Sequence, residues 1–202
     1  NSFGAMVTHN QTATVNQTSG KLVAGIEFNN DGTKMFTSYG QMNGSAFYIQ
    51  EYNLSTPYDI STRAYAGDSE RCELTGTVVA NNNFTIYDLE FSSDGMKFFT
   101  LQRRDSNADG SDRVYGFDLT SPYDVSTCLL ASSRTDLDDA SSDLNTGSNA
   151  GDYSGNKRYH RVQALEINDD GTKLFLTFMD DIDNDVGARL YEYNLSTPYD
   201  VS

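Results

Sequence analysis

The sequence predicts an all-β protein made of three copies of one four-stranded antiparallel unit, and three observations predict it. The stretch Glu-Tyr-Asn-Leu-Ser-Thr-Pro-Tyr-Asp occurs at Glu51–Asp59 and again, identical, at Glu192–Asp200, with a close variant at Phe117–Asp124. A second signature precedes each copy, at Gly25–Phe36, Asp88–Phe99 and Ala164–Phe175, and each holds an Asp-Gly pair ending in Gly32, Gly95 or Gly171. The only three prolines, Pro57, Pro122 and Pro198, fall at one place in the repeat. Both motifs step together, so they belong to one unit, and self-similarity of this kind marks a repeat architecture.

Within the first unit, Val23–Phe28 is a short, mostly apolar run of strand length. Asp31-Gly32 makes a tight turn, because glycine accepts the positive φ that a hairpin needs. Lys34–Tyr39 returns as a second strand. Ala46–Leu54 follows as a third, with Phe47 and Tyr52 in it. The Ser-Thr-Pro-Tyr-Asp segment reads as a turn: Ser and Asp side chains bond nearby backbone groups, and Pro fixes φ and ends the ladder. Cys72–Val79 supplies a fourth strand. Four antiparallel strands in each of several repeats describe the blades of a β-propeller.

The expected organisation is a single propeller-type domain over 1–202. Its blades cover about 21–79, 84–131 and 159–202, and a Ser-, Asp-, Asn- and Gly-rich loop spans 131–158. The third unit stops before its fourth strand. Residues 6–16 hold the register of a fourth strand belonging to another blade and are expected to complete it, in cis or in trans. Propellers typically have four to eight blades. Three arrangements follow: a longer protein, several copies that close a ring or add head to tail through the N-terminal strand, or a three-blade body.

Composition narrows the function. The 24 aromatic residues (13 Tyr and 11 Phe) and 37% hydrophobic residues suffice for a core. The formal net charge of −15 repels phosphate backbones and argues against nucleic-acid binding. No apolar run approaches the roughly 20 residues of a spanning helix, so no membrane insertion is expected. The start, Asn1-Ser2-Phe3-Gly4, has neither an initiator Met nor a signal pattern, and reads as a processed end or a boundary. Cys72 and Cys128, the only cysteines, form either one disulfide or two quiet thiols.

Phe91-Ser92-Ser93-Asp94-Gly95-Met96-Lys97-Phe98-Phe99 resembles the Phe-Ser-x-Asp-Gly pattern of the TolB-like and YVTN/lactonase-like propeller repeats. The downstream Ser-Thr-Pro-Tyr-Asp element is similar to repeats in secreted or surface proteins of marine bacteria and their phages. The resemblance implies the fold and an extracellular or cell-surface setting. It carries over no catalytic residue, because no His/Glu/Asp set maps onto the enzyme members, and one fold hosts many chemistries.

Two loops carry candidate metal ligands: Asp105, Asn107, Asp109 and Asp112 in the second unit, and Asp181, Asp183 and Asp185 in the third. Oxygen side chains at alternate positions followed by Gly resemble the start of a calcium loop, since calcium takes six to eight hard oxygens. Neither loop has the Glu expected at the twelfth position, so the motif is incomplete and calcium is an expectation. Asp136, Asp138 and Asp139 read as solvated. His9 and His160 are too few for a histidine metal centre or a catalytic triad. Tyrosines repeated in register, such as Tyr52, Tyr115 and Tyr193, read as blade-to-blade packing.

The leading expectation is a non-catalytic binding or assembly module, facing a protein or glycan surface and self-associating through its N-terminal strand. The alternatives are a propeller-fold hydrolase or lactonase-like enzyme, and a filament or virion component. An enzyme should show inward-facing acids that break the repeat. Glu27, Glu90 and Glu166 recur in every unit, which favours the structural reading.

Overall fold

The computed structural model describes residues 12, 14–15, 21–41, 47–74, 84–104, 113–136, 159–182 and 185–201. It is all-β, in three antiparallel sheets that follow one another along the chain. The first blade consists of β1 (Lys21–Phe28), β2 (Lys34–Gln41) and β3 (Phe47–Leu54), with the short β4 (Arg63–Tyr65) and β5 (Cys72–Glu73) both paired to β3. The second is β6 (Phe84–Phe91), β7 (Lys97–Arg104), β8 (Arg113–Asp118) and β9 (Leu129–Asp136). The third is β10 (Tyr159–Ile167), β11 (Lys173–Ile182) and β12 (Asp185–Asn194).

Two expectations change here. The fourth strand of the first blade is two pieces, β4 and β5, with the turn Asp68–Glu70 between them, and residues 75–79 lie outside the described residues. Strand β9 runs to Asp136, past the loop boundary expected at 131. Of the 6–16 segment, only Thr12, Thr14 and Val15 are described, and none of them is in a strand.

The two repeated motifs hold each other. At the hairpin between β1 and β2, the Asn29 side chain accepts from the Lys34 amide at 2.8 Å, and Asp31 accepts from both the amide and the hydroxyl of Thr33. Those bonds from Thr33 hold the Asp31 carboxyl below its usual range. Gly32 sits at φ +70°, and its carbonyl accepts the amide of Tyr58 at 2.9 Å. Tyr58, Tyr123 and Tyr199 all have positive φ, between 54° and 59°, a conformation that bulky residues avoid. Each ring lies over the glycine of its own blade, so that a Cβ on Gly32, Gly95 or Gly171 would fall 2.3–2.4 Å from the ring. Glycine is therefore required twice, by its backbone angle and by the tyrosine above it.

A lysine anchors the same hairpin to the third strand in each blade. Lys34 pairs with Glu51 at 2.8 Å, and Lys173 pairs with the equivalent Glu192. In the second blade the equivalent position is Gly116, and Lys97 instead pairs with Asp118, two residues on and on the same face of the strand.

The core lies between blades. Phe36, Phe47, Ile49, Cys72 and Leu74 of the first blade share one buried cluster with Ile86, Leu89, Phe91, Phe98 and Phe117 of the second. Phe99, Leu101 and Val114 of the second blade meet Val162, Leu165, Ile167 and Leu174 of the third in the same way. The contact repeats in its details. Phe36 stacks on Tyr123 at 6.4 Å, and Phe99 stacks on Tyr199 at 6.3 Å. The Asn30 side chain donates to the Ser93 carbonyl, and the Ser93 hydroxyl donates to the Asp169 carbonyl, each at 2.9 Å. Cys72 and Cys128 are bonded, with Cα atoms 5.8 Å apart, and this settles the alternative the sequence left open. The bond fastens the outer edge of the first blade to the second.

Gly95→Ala should cost about 2–4 kcal/mol, by adding left-handed strain to a clash with the Tyr123 ring. Replacing both Cys72 and Cys128 by Ala should cost about 4 kcal/mol, the chain entropy released from a loop of 56 residues. Denaturant unfolding at neutral pH measures both.

Candidate functional site

The inner strands β1, β6 and β10 lie side by side, because each blade packs on the next. Each strand has a register shift at the same place: between Val23 and Ile26, Ile86 and Asp88, and Val162 and Ala164. A bulge re-aims the side chains beside it. The residues next to it are Gly25, Asp88 and Ala164, followed two positions later by Glu27, Glu90 and Glu166.

Asp88 breaks the repeat. Its Oδ1 accepts from the Leu89 amide at 3.0 Å, and its Oδ2 accepts from the Leu165 amide of the third blade at 2.9 Å. Burial pushes its carboxyl up, against the pull of those two amides. In the first blade the place belongs to Gly25, and a Cβ there would stand 3.0 Å from the Leu89 nitrogen. The first junction therefore closes by direct backbone approach and the second through a carboxylate.

This packing gathers the recurrent glutamates into one electrostatic field. Glu90, on the middle blade, is half-buried and lies within reach of Glu27, Glu166, Asp88 and Asp169. Burial and those four negative neighbours push its carboxyl up to about 8. Burial likewise raises Glu27, partly offset by the Phe28 amide. Glu166 is the exposed member. Among the described residues, no three His, Cys, Asp or Glu side chains converge as a metal ion requires. The cluster is a set of carboxyls whose charges oppose one another, and burial with those neighbours pushes the Glu90 carboxyl above neutral pH.

Most of the metal ligands expected from the sequence lie elsewhere or outside the described residues. Asp105, Asn107, Asp109, Asp112 and Asp183 are outside them. Asp181 and Asp185 are in the β11–β12 ladder, opposite Val186 and Ile182, so strand pairing continues as far as Ile182 and Asp185. The calcium expectation rests on the sequence alone.

Comparison of the sequence with protein-family models and with curated proteins finds no match. Among solved structures, the chain is similar to a protein from Lactobacillus plantarum (TM-score 0.45, 14% identity, covering 95% of this chain and 46% of that one). It is also similar to the periplasmic gluconolactonase of Pseudomonas aeruginosa (TM-score 0.45, 14% identity, covering 87% and 42%). A third is prolyl oligopeptidase B from Galerina marginata, bound to a hydrolysis and macrocyclization substrate (TM-score 0.40, 11% identity, covering 88% and 22%). This chain spans less than half the length of each.

The expectation of a non-catalytic binding or assembly module is corrected. Named enzymes stand among the similar structures. Asp88 is an acid that breaks the repeat on an inner strand, with its two oxygens taken by backbone amides of the second and third blades. The visible signal was the mismatch of Asp88 with Gly25 and Ala164.

Because the folded chain holds a proton on Glu90 that the unfolded chain releases near pH 4.5, this group's contribution is whole below pH 4.5 and is lost as pH rises to about 8. Glu90→Gln should flatten that slope and raise stability at pH 8 by about 2 kcal/mol, less than the full shift implies because the side chain retains contact with water. Thermal melts of both proteins from pH 4 to 9 measure the difference.

Proposed function

We propose that the chain is part or all of a propeller-fold hydrolase that opens lactones or esters at the inner ends of its blades. The observation that carries this reading is the juxtaposition of the inner strands β1, β6 and β10, which half-buries Glu90 among other carboxyls and pushes its own carboxyl up to about 8. Acid and base roles at neutral pH require groups pushed apart in this way. In the proposed reaction, Glu166, the exposed member, takes a proton from water as the oxygen adds to the carbonyl carbon. The carbon–oxygen bond to the leaving group then breaks, and Glu90 donates its proton to the departing oxygen. The proton taken by Glu166 restores Glu90 at the end of the cycle.

Charge favours the same class. A negative cluster admits a neutral lactone or ester and repels the carboxylate that hydrolysis makes, which helps product leave. The gluconolactonase among the similar structures is consistent with such a substrate. The Cys72–Cys128 bond supports an exported, oxidising setting.

A panel of neutral lactones and aryl esters tests the reading. At least one should be hydrolysed, with a rate that falls as pH rises through about 8. Glu90→Gln should lower kcat about 100-fold or more. Inactivity across the panel, or turnover that ignores this substitution, would reject the proposal.

A further inference from the structure

Asp88 sits where the two inner strands that carry Glu90 and Glu166 meet. Its Oδ1 accepts from the Leu89 amide at 3.0 Å, and its Oδ2 accepts from the Leu165 amide at 2.9 Å. Leu89 and Leu165 are the residues immediately before Glu90 and Glu166. One carboxylate therefore holds the backbone next to both glutamates, on β6 and on β10. A bulge interrupts the ladder just ahead of each amide, between Ile86 and Asp88 and between Val162 and Ala164. Amides beside such a break need another acceptor, and a carboxylate is a stronger one than a carbonyl.

The other inner strands have no such acceptor at this position. Gly25 holds the place in β1 and Ala164 in β10, and neither side chain can accept a hydrogen bond. At Gly25 the space is already taken, because a Cβ would stand 3.0 Å from the Leu89 nitrogen. The Gly25 amide donates within its own blade, to the Ser38 hydroxyl at 2.8 Å. Glu27 and Glu90 are thus brought together by direct backbone approach, and Glu90 and Glu166 through the Asp88 side chain. Asp88 and Glu90 are two residues apart on a regular stretch of β6, so they share one face of the strand. Burial apart, the negative groups that act on Glu90 are Glu27 on β1, Glu166 and Asp169 of the third blade, and Asp88 itself.

We propose that Asp88 is the positioning residue of the Glu90–Glu166 pair, the carboxylate that fixes the second inner junction and so sets where the two glutamates stand. The proposal rests on the hydrolytic reading for the use made of the pair, and on the two amide bonds for its placement. The three acids have different tasks. Glu90 and Glu166 move protons to and from the substrate, whereas Asp88 has both oxygens occupied by backbone and acts only through them. The odd acid belongs on the middle strand because β6 contacts both β1 and β10, and a clip there reaches the next glutamate-bearing strand.

Nuclear magnetic resonance of the full chain, observing carboxyl carbons and backbone amides, tests this alongside activity. In the wild type, the Leu165 amide shift should follow the titration of Asp88 as pH is lowered. In Asp88→Asn and Asp88→Ala, the Leu165 amide should exchange with solvent about 10-fold faster or more. The Glu90 midpoint should fall below about 8 in both, because one of its negative neighbours is gone, and Asp88→Glu should return it towards the wild-type value. On a lactone or ester that the wild type hydrolyses, kcat should drop about 10-fold or more with KM little changed, and the alkaline limb of the pH profile should move down with Glu90. A Leu165 exchange rate and a Glu90 midpoint that keep their wild-type values in both variants would overturn the proposal. So would a wild-type Leu165 shift that ignores the Asp88 titration, which decides the matter even if the variants do not fold. A wild type that hydrolyses nothing, while both resonance readouts move as expected, counts against the hydrolytic reading alone and upholds Asp88 as the residue that places the pair.

Discussion

Every sheet of this protein carries large apolar side chains on both faces, so no blade can satisfy itself with water on either side. Met35 and Phe36 are neighbours on one strand, point to opposite faces, and are both buried. Strand geometry makes this unavoidable, since adjacent side chains alternate across the sheet. The remedy is to stack sheet on sheet, and the buried clusters accordingly lie between blades. At about 25 cal/mol per Å² of apolar surface, phenylalanines such as Phe36, Phe98 and Phe99 make these junctions the main source of stability.

The local motifs serve that stacking. The left-handed tyrosine is costly as backbone, yet it places its ring over the Asp-Gly turn of its own blade and, at Tyr123 and Tyr199, against a phenylalanine of the blade before. Its φ is maintained because the amide is held by the glycine carbonyl and the ring lies on that same glycine. The lysine–carboxylate pair beneath it survives the change from Glu to Gly at position 116 by moving its acid two residues along the strand to Asp118.

Stacking also creates the unusual chemistry. A glutamate on one inner strand would be an ordinary solvated acid. Repeating it in each blade, and bringing the blades together, puts Glu27, Glu90 and Glu166 in one field, with Asp88 added on the middle strand. Burial of the middle member disfavours its ionisation most, and negative charge on both sides adds to that, which is why Glu90 is shifted to about 8. An acidic repeat thereby yields a group that holds a proton at neutral pH without any histidine.

The sequence by itself determined the repeat, its β character, the hairpin turns and the order of the strands. Those are written in local signals: alternation, the positive-φ glycine and the proline that ends a ladder. The tertiary structure alone decided whether Cys72 and Cys128 meet, because their bond depends on how two blades pack and not on spacing. It alone turned Asp88 from a single mismatch in an alignment of units into a link to the Leu165 amide. It also separated Ile26 from Leu89 and Leu190 from Val114, pairs that are equivalent in sequence and opposite in burial. The reason is common to all three. A repeat specifies each blade equally, but proton affinity, bonding and burial depend on what stands on either side, and among the described residues only the middle blade is packed between two others.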